Sequence, residues 1–231
     1  MPFPVKRVHF GSYVFDVWED VYEPAEDSFL FAENLDVEEG ALVLDVGAGC
    51  GLLGILAAEK ACNVVSVDLN PYAVRCAMEN AALNNLRCKM AFIQTDLLTA
   101  LNENARFDLI LFNAPYLPAA ESEAESWIGR SWAGGISGRK VIDRFISQVP
   151  MHLKDKGRIL LMQSTLANVE ETIRKFGELN LKASIKAELK LPFFETLTLI
   201  EAKTEPHNKS CMIALKANKG SNALVMVVNA K

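Results

Sequence analysis

The chain has 231 residues, half of them hydrophobic, with a net charge of -5. That is enough apolar material for one large domain or two small ones, and the interspersed acidic balance disfavours a protein that depends on a broad basic footprint on nucleic acid. No run of about 18 apolar residues exists, which excludes a helical membrane span.

The start, MPFPVKRVHFGSYVF, lacks the apolar core of a secretory signal. AEDSFLFAENL (25–35) reads as a helix, and ALVLDV (41–46) as a strand closed by a glycine cluster. LLGILAAEK (52–60) carries Leu52, Ile55, Leu56 and Glu59 at helical spacing, and NVVSVD (63–68) is the next strand. Asn70-Pro71 is a helix start, with Asn at the N-cap and Pro at the first helical position; Val74, Ala77, Met78 and Ala81 are expected to form its apolar face. MAFIQTD (90–96) and FDLILFN (107–113) are strands. The segment 119–137, AAESEAESWIGRSWAGGIS, is long and polar for a loop and is expected to be a functional lid. GRKVIDRFISQV is helical up to Pro150, GRILLMQS a strand, ANVEETIRKFGEL a helix, and KASIKAELKL and FETLTLIEA two strands close together. Strands alternating with helices argue an α/β sheet with helices on both faces. Residues 1–203 are expected to form a single domain, and 204–231, rich in Lys and Asn, a tail or added hairpin. Five cysteines (Cys50, Cys62, Cys76, Cys88, Cys211) with no C-x-x-C pair carry no zinc ribbon or disulfide framework and point to a reducing, cytoplasmic setting. No metal site is expected.

Three stretches carry chemistry. LDVGAGCGLLG contains a G-x-G-x-x-G string (Gly49–Gly54) that by itself resembles a dinucleotide site. In a dehydrogenase, however, the first glycine comes directly off the strand. Here Asp45 precedes Gly47, Gly49 and Gly51. This Asp-x-Gly-x-Gly-x-Gly arrangement resembles that of class I methyltransferases, which use S-adenosylmethionine. That cofactor has no pyrophosphate for a helix N-terminus to hold; it has a cationic methionyl end that suits a carboxylate. Asp68, ending the second strand, suits two ribose hydroxyls. Asp96 suits an adenine amino group, with Leu97 beside the ring.

The second stretch is Asn113-Ala114-Pro115-Tyr116. An Asn ending a core strand at the carboxyl edge points into the crevice where ligands bind. Its side-chain oxygen and the Ala114 carbonyl can accept both N–H bonds of a planar amine or amide. Pro115 fixes the turn, and Tyr116 offers a flat face. Positioning and fixed dipoles then do the catalysis. This resembles the Asn/Asp-Pro-Pro-Tyr motif of amino methyltransferases, with Ala114 in place of the first proline. The motif alone leaves adenine N6, guanine N2 and a glutamine amide open.

The third element is a pair of stretches, VYEPAEDSFLF (21–31) and SWAGGISGRKVIDRF (131–145). Together with the two motifs above they resemble the eukaryotic and archaeal branch of the HemK-like glutamine methyltransferases, over about residues 20–202. The resemblance implies a class I methyltransferase fold: a Rossmann-like three-layer sandwich with a seven-stranded, mostly parallel sheet and an antiparallel last strand. It implies cofactor contacts at Tyr22, Pro24, Ser28, Asp45, Gly47, Gly49, Asp68, Asp96, Leu97 and Asn113. It also implies a substrate, the glutamine of the Gly-Gly-Gln loop of class 1 peptide release factors, and a partner, a small zinc-binding Trm112-like activator. It leaves lysine methylation open as a side activity. The alternatives are an RNA or DNA amino methyltransferase, which should show a basic rim, and a non-catalytic binding module.

Overall fold

The structure, a computed structural model, describes residues 6–204; the expected tail or hairpin beyond them lies outside the described residues. A two-stranded hairpin comes first, β1 (Lys6–Phe10) and β2 (Tyr13–Val17). The central domain follows: α1 (Glu26–Glu33), β3 (Leu42–Val46), α2 (Leu52–Ala57), β4 (Asn63–Asp68), α3 (Pro71–Leu83), β5 (Met90–Gln94), β6 (Phe107–Asn113), α4 (Trp127–Trp132), α5 (Lys140–Gln148), β7 (Leu153–Ser164), α6 (Val169–Glu178), β8 (Leu181–Lys190) and β9 (Thr196–Thr204).

The sheet has seven strands in the order β5-β4-β3-β6-β7-β9-β8. Strands β3 to β7 are parallel, and β9 is antiparallel to both its neighbours. Central strands are apolar on both faces because helices cover both: Val43, Leu44 and Val46 of β3 and Leu109 to Phe112 of β6 are buried. Helices α1, α2 and α3 pack side by side, and α5 packs on α6. From β3 the chain winds outward to β5 and then returns to β6 on the other side. That reversal opens a crevice at the carboxyl ends of β3 and β6.

The hairpin β1–β2 is not among the expected elements, although Gly11-Ser12 between alternating residues is a two-residue turn signal. Two expectations need correction. The buried face of α3 consists of Ala73, Cys76, Ala77, Asn80 and Ala81, while Val74 and Met78 are only half-buried. The reason is Asn80. Its Oδ1 accepts from Asp16 N at 2.8 Å, and its Nδ2 donates to Asp16 O at 2.9 Å and Cys50 O at 2.8 Å. Asn84, one turn on, accepts from Val14 N and donates to Val14 O. The two amides thus pair the free edge of β2 as a strand would, and α3 turns that side inward. The second correction is the 119–137 segment, which is not all loop: residues 121–124 form a 3₁₀ turn and 127–132 are α4, with Ser126 Oγ capping Gly129 N at 2.9 Å.

Candidate active site

The crevice is a cleft of ≈ 570 Å³. Tyr22, Pro24, Ser28, Asp45, Gly47, Gly49, Asp68, Asp96, Leu97, Asn113, Ala114, Pro115 and Tyr116 all line it. Residues spread over nearly a hundred positions are therefore gathered around one space, at the switch in strand order.

The glycine turn explains itself by packing. Gly47 N and Ala48 N donate to Val67 O, and Gly49 N donates to Asp68 Oδ2 at 2.9 Å. Asp68 Oδ1 takes Asn70 N at 2.8 Å. Gly54, the last glycine of the dinucleotide-like string, has a different job. A Cβ there would lie 2.6 Å from Asp45 Oδ2 and 2.7 Å from Ser66 Oγ, so only glycine lets α2 sit on the β3 carboxylate. Asp45 Oδ2 accepts from Gly54 N at 3.1 Å. Burial, with Asp68 nearby, pushes the Asp45 carboxyl up to about 7. Burial also raises Asp68, opposed by its backbone N–H donors. A cationic ligand arriving beside this pair favours the ionised forms. The turn thus fits a ligand with a positive amino-acid end and sulfonium; two carboxylates are a poor cradle for a pyrophosphate. S-Adenosylmethionine supplies a methyl group on a sulfonium, which is the electrophile.

Asp96 Oδ2 receives Arg144 at 2.7 Å from α5, half-exposed at the rim. Leu97 beside it is buried with φ +50°, a left-handed conformation uncommon for a residue with a side chain and typical of ligand clamps.

The Asn113 turn is held by a residue that is not among the expected site residues, Asp27. Asp27 is buried, and its carboxylate collects five hydrogen bonds. Oδ1 accepts Ser28 N at 2.6 Å, Ser28 Oγ at 3.1 Å and Tyr22 Oη at 3.3 Å. Oδ2 accepts Asn113 Nδ2 at 3.1 Å and Tyr116 Oη at 3.3 Å. Asn113 Nδ2 also donates to Ser28 Oγ at 3.2 Å. Both phenols are raised from their ordinary value, first by burial and then by the Asp27 charge, so both stay protonated donors. With its NH2 engaged, Asn113 is left with Oδ1 buried and without any hydrogen-bond partner among the described residues. Buried polar atoms are rarely orphaned. This one belongs to a residue that lines the cleft.

The glycine-rich 132–138 loop backs the turn. Leu117 N donates to Trp132 O at 3.0 Å and Gly134 N to Leu117 O at 2.8 Å. Gly138 has φ +71°, and a Cβ there would meet Tyr116 O at 2.3 Å. Arg139 Nη1 anchors the loop to Ala167 O, Asn168 O and Thr172 Oγ1 within 2.9 Å.

The 119–137 segment contributes Trp127 and Trp132 to the wall, neither of them among the expected cofactor or catalytic residues. Cations also reach the mouth, but each has a partner in the protein. Arg144 pairs with Asp96, Lys140 with Glu121 at 3.5 Å, and Arg130 lies 5.0 Å over the Trp127 ring. Among the described residues, these three therefore do not form an uncommitted basic rim.

Fold and site together define a class I S-adenosylmethionine-dependent methyltransferase. Residues 23–128 match the Methyltransferase small domain family. The chain is 44% identical over 182 residues to a Methanocaldococcus jannaschii protein named as a putative protein N5-glutamine methyltransferase, covering 78% of this chain and 90% of that one. It is 35% identical over 180 residues to the human Methyltransferase HEMK2, covering 72% and 80% of the two chains. Among solved structures it resembles the E. cuniculi Mtq2–Trm112 complex, described as responsible for methylation of the eRF1 translation termination factor. There the identity is 26% and the TM-score 0.64, over 80% of this chain and 99% of that one. The chain belongs to the HemK-like protein N5-glutamine methyltransferases.

Proposed function

We propose that the chain transfers a methyl group from S-adenosylmethionine to the side-chain amide nitrogen of the glutamine in the Gly-Gly-Gln loop of a class 1 peptide release factor. The observation that carries this reading is the orphaned Asn113 Oδ1, buried at the carboxyl end of β6 with its own NH2 tied to Asp27 and Ser28. A glutamine amide is a weak nucleophile because its nitrogen lone pair is delocalised into the carbonyl. Asn113 Oδ1 accepts one of its N–H bonds and the Ala114 carbonyl the other. Held so, the nitrogen presents its lone pair to the methyl carbon. Tyr116 lies against the amide plane. No strong base is needed, because methylation makes the nitrogen acidic and water takes the proton. The catalytic work is orientation by fixed acceptors.

In this reading Asp45, Gly47 and Gly49 hold the methionyl end, Asp68 the ribose, and Asp96 and Leu97 the adenine. Tyr22, Pro24 and Ser28 close the space from α1. Asp96 already carries Arg144 on Oδ2, so its other oxygen receives the adenine amino group. A small zinc-binding Trm112-like protein is the partner, a reading supported by the likeness to the E. cuniculi Mtq2–Trm112 complex. The working compartment is the cytoplasm; no helix among the described residues is long and apolar enough to cross a membrane.

The test is transfer of labelled methyl to a purified class 1 release factor, with and without the zinc partner. A factor whose Gly-Gly-Gln glutamine is replaced by alanine is the control. Label on the intact factor alone supports the reading. Equal label on both factors, or label only on bulk RNA, overturns it.

A further inference from the structure

The turn joining β8 to β9, Leu191 to Glu195, carries two successive phenylalanines in the left-handed region. Phe193 has φ 61° and Phe194 φ 66°. This is an unfavourable backbone for residues with a Cβ. Their side chains gain nothing from the fold in return: Phe193 is 96% exposed and Phe194 103%. The turn is nonetheless closed by Leu191 N donating to Glu195 O at 2.8 Å. Strained backbone that presents apolar side chains to solvent is characteristic of contact surfaces.

Sheet register places this turn on the sheet edge that carries the cleft. Ser164, the last residue of β7, pairs with Leu197 near the start of β9, and Met162 pairs with Asn113. The 191–196 turn therefore projects from the same carboxyl edge as the Asn113 turn, two strands away, or roughly 10 Å. Two more apolar residues nearby are exposed. Leu166 is 50% exposed in the turn whose Thr165 Oγ1 accepts from Thr196 N at 3.1 Å. Ile136 is 87% exposed in the 132–138 loop that backs the Asn113 turn.

We propose that Phe193 and Phe194, with Leu166 and Ile136, form the docking rim for the substrate protein, covering the chain on either side of the acceptor glutamine. The proposal rests on the release-factor reading above. A glutamine can reach Asn113 Oδ1 only if its own backbone lies across the mouth, and a folded protein that brings it there must cover this edge. The two residues before the acceptor in a Gly-Gly-Gln loop are glycines and have no side chains of their own. Grip on the surrounding protein must then come from the enzyme's side chains, and two large rings held clear of the fold supply it.

The test is steady-state methylation by Phe193→Ser/Phe194→Ser and by Ile136→Ser, each in complex with the zinc partner, using the intact release factor and a short peptide of its Gly-Gly-Gln loop. The expected result is a KM for the intact factor raised by about tenfold or more in the double variant. Its kcat, S-adenosylmethionine affinity and activity on the short peptide stay at wild-type level. An unchanged KM in the folded double variant overturns the proposal. So does a variant that loses affinity for the zinc partner while its KM stays normal, because the rim's occupant is then that partner. A wild-type enzyme that leaves the factor unlabelled contradicts the substrate reading itself, and the occupant with it.

Discussion

Replacing Asp27 by asparagine changes one oxygen to NH2 and leaves the volume almost untouched, yet it should disable the enzyme. The carboxylate is an acceptor on both oxygens. Oδ1 faces Ser28 N at 2.6 Å, a backbone donor that cannot turn away. The carboxamide oxygen of Asp27→Asn must take that position, so its NH2 faces Asn113 and Tyr116. Tyr116 can rotate its hydroxyl and accept. Asn113 then keeps only Ser28 Oγ as acceptor for its NH2, and it regains a bond to residue 27 by flipping, which turns Oδ1 toward residue 27 and NH2 toward the substrate. The glutamine then loses an oriented acceptor and meets a donor. Loss of one preorganised transition-state contact costs about 2.7–4 kcal/mol, or roughly 10²–10³ in kcat. The assay is kcat at saturating S-adenosylmethionine on the release factor, with cofactor affinity by calorimetry and folding by circular dichroism. Cofactor affinity should change far less than kcat. Asp27→Glu keeps both acceptors and should recover part of the rate. A folded, cofactor-binding Asp27→Asn enzyme with wild-type kcat would refute the orientation argument.

Gly138→Ala should lower kcat by about tenfold or more, since its Cβ must push Tyr116 O from 2.3 Å and small displacements of reacting groups are costly; stopped-time methylation with a melting curve separates this from unfolding. Asn80→Ala strips three hydrogen bonds from a residue only 1% exposed, an expected loss of about 2–4 kcal/mol and, for a chain of this size, roughly 5–15 °C in Tm. Stability should also depend on pH through Asp45. Its carboxyl is raised from 3.8 to about 7 in the fold, so the native state binds the extra proton between those values. The Asp45 contribution is therefore fully present below 3.8 and declines as pH rises to about 7. Denaturant midpoints of the wild type relative to Asp45→Asn should fall across that window, and a flat difference would count against the buried, coupled carboxylate.

The parallel core was legible because its strands are short β-branched runs with buried faces, and FDLILFN became β6 residue for residue. Asn70-Pro71 marked the start of α3 correctly, with Asn70 Oδ1 accepting Tyr72 N. The glycine turn and the Asn113 turn could be read because both sit at strand ends, where side-chain type and place in the topology suffice. What escaped depends on partners distant in sequence. Asp27 looks like any acid complementing a helix N-terminus until Asn113, 86 residues on, is folded against it. Asn80 and Asn84 look like solvent-facing amides until β2 lies beside them. Helix α4 hides in a polar stretch because its burial comes from the cleft wall and its start from Ser126.

Asn113→Ala tests the central claim most directly. It removes the orphaned acceptor together with two hydrogen bonds to Asp27 and Ser28, so a melting curve accompanies the assay to separate lost chemistry from lost structure. Labelled methyl transfer to the intact release factor and cofactor binding should be measured on the same preparation. Transfer should fall by roughly 10²–10³ with S-adenosylmethionine still bound. Transfer near the wild-type rate would contradict the claim, because the glutamine amide would then be held by something other than Asn113.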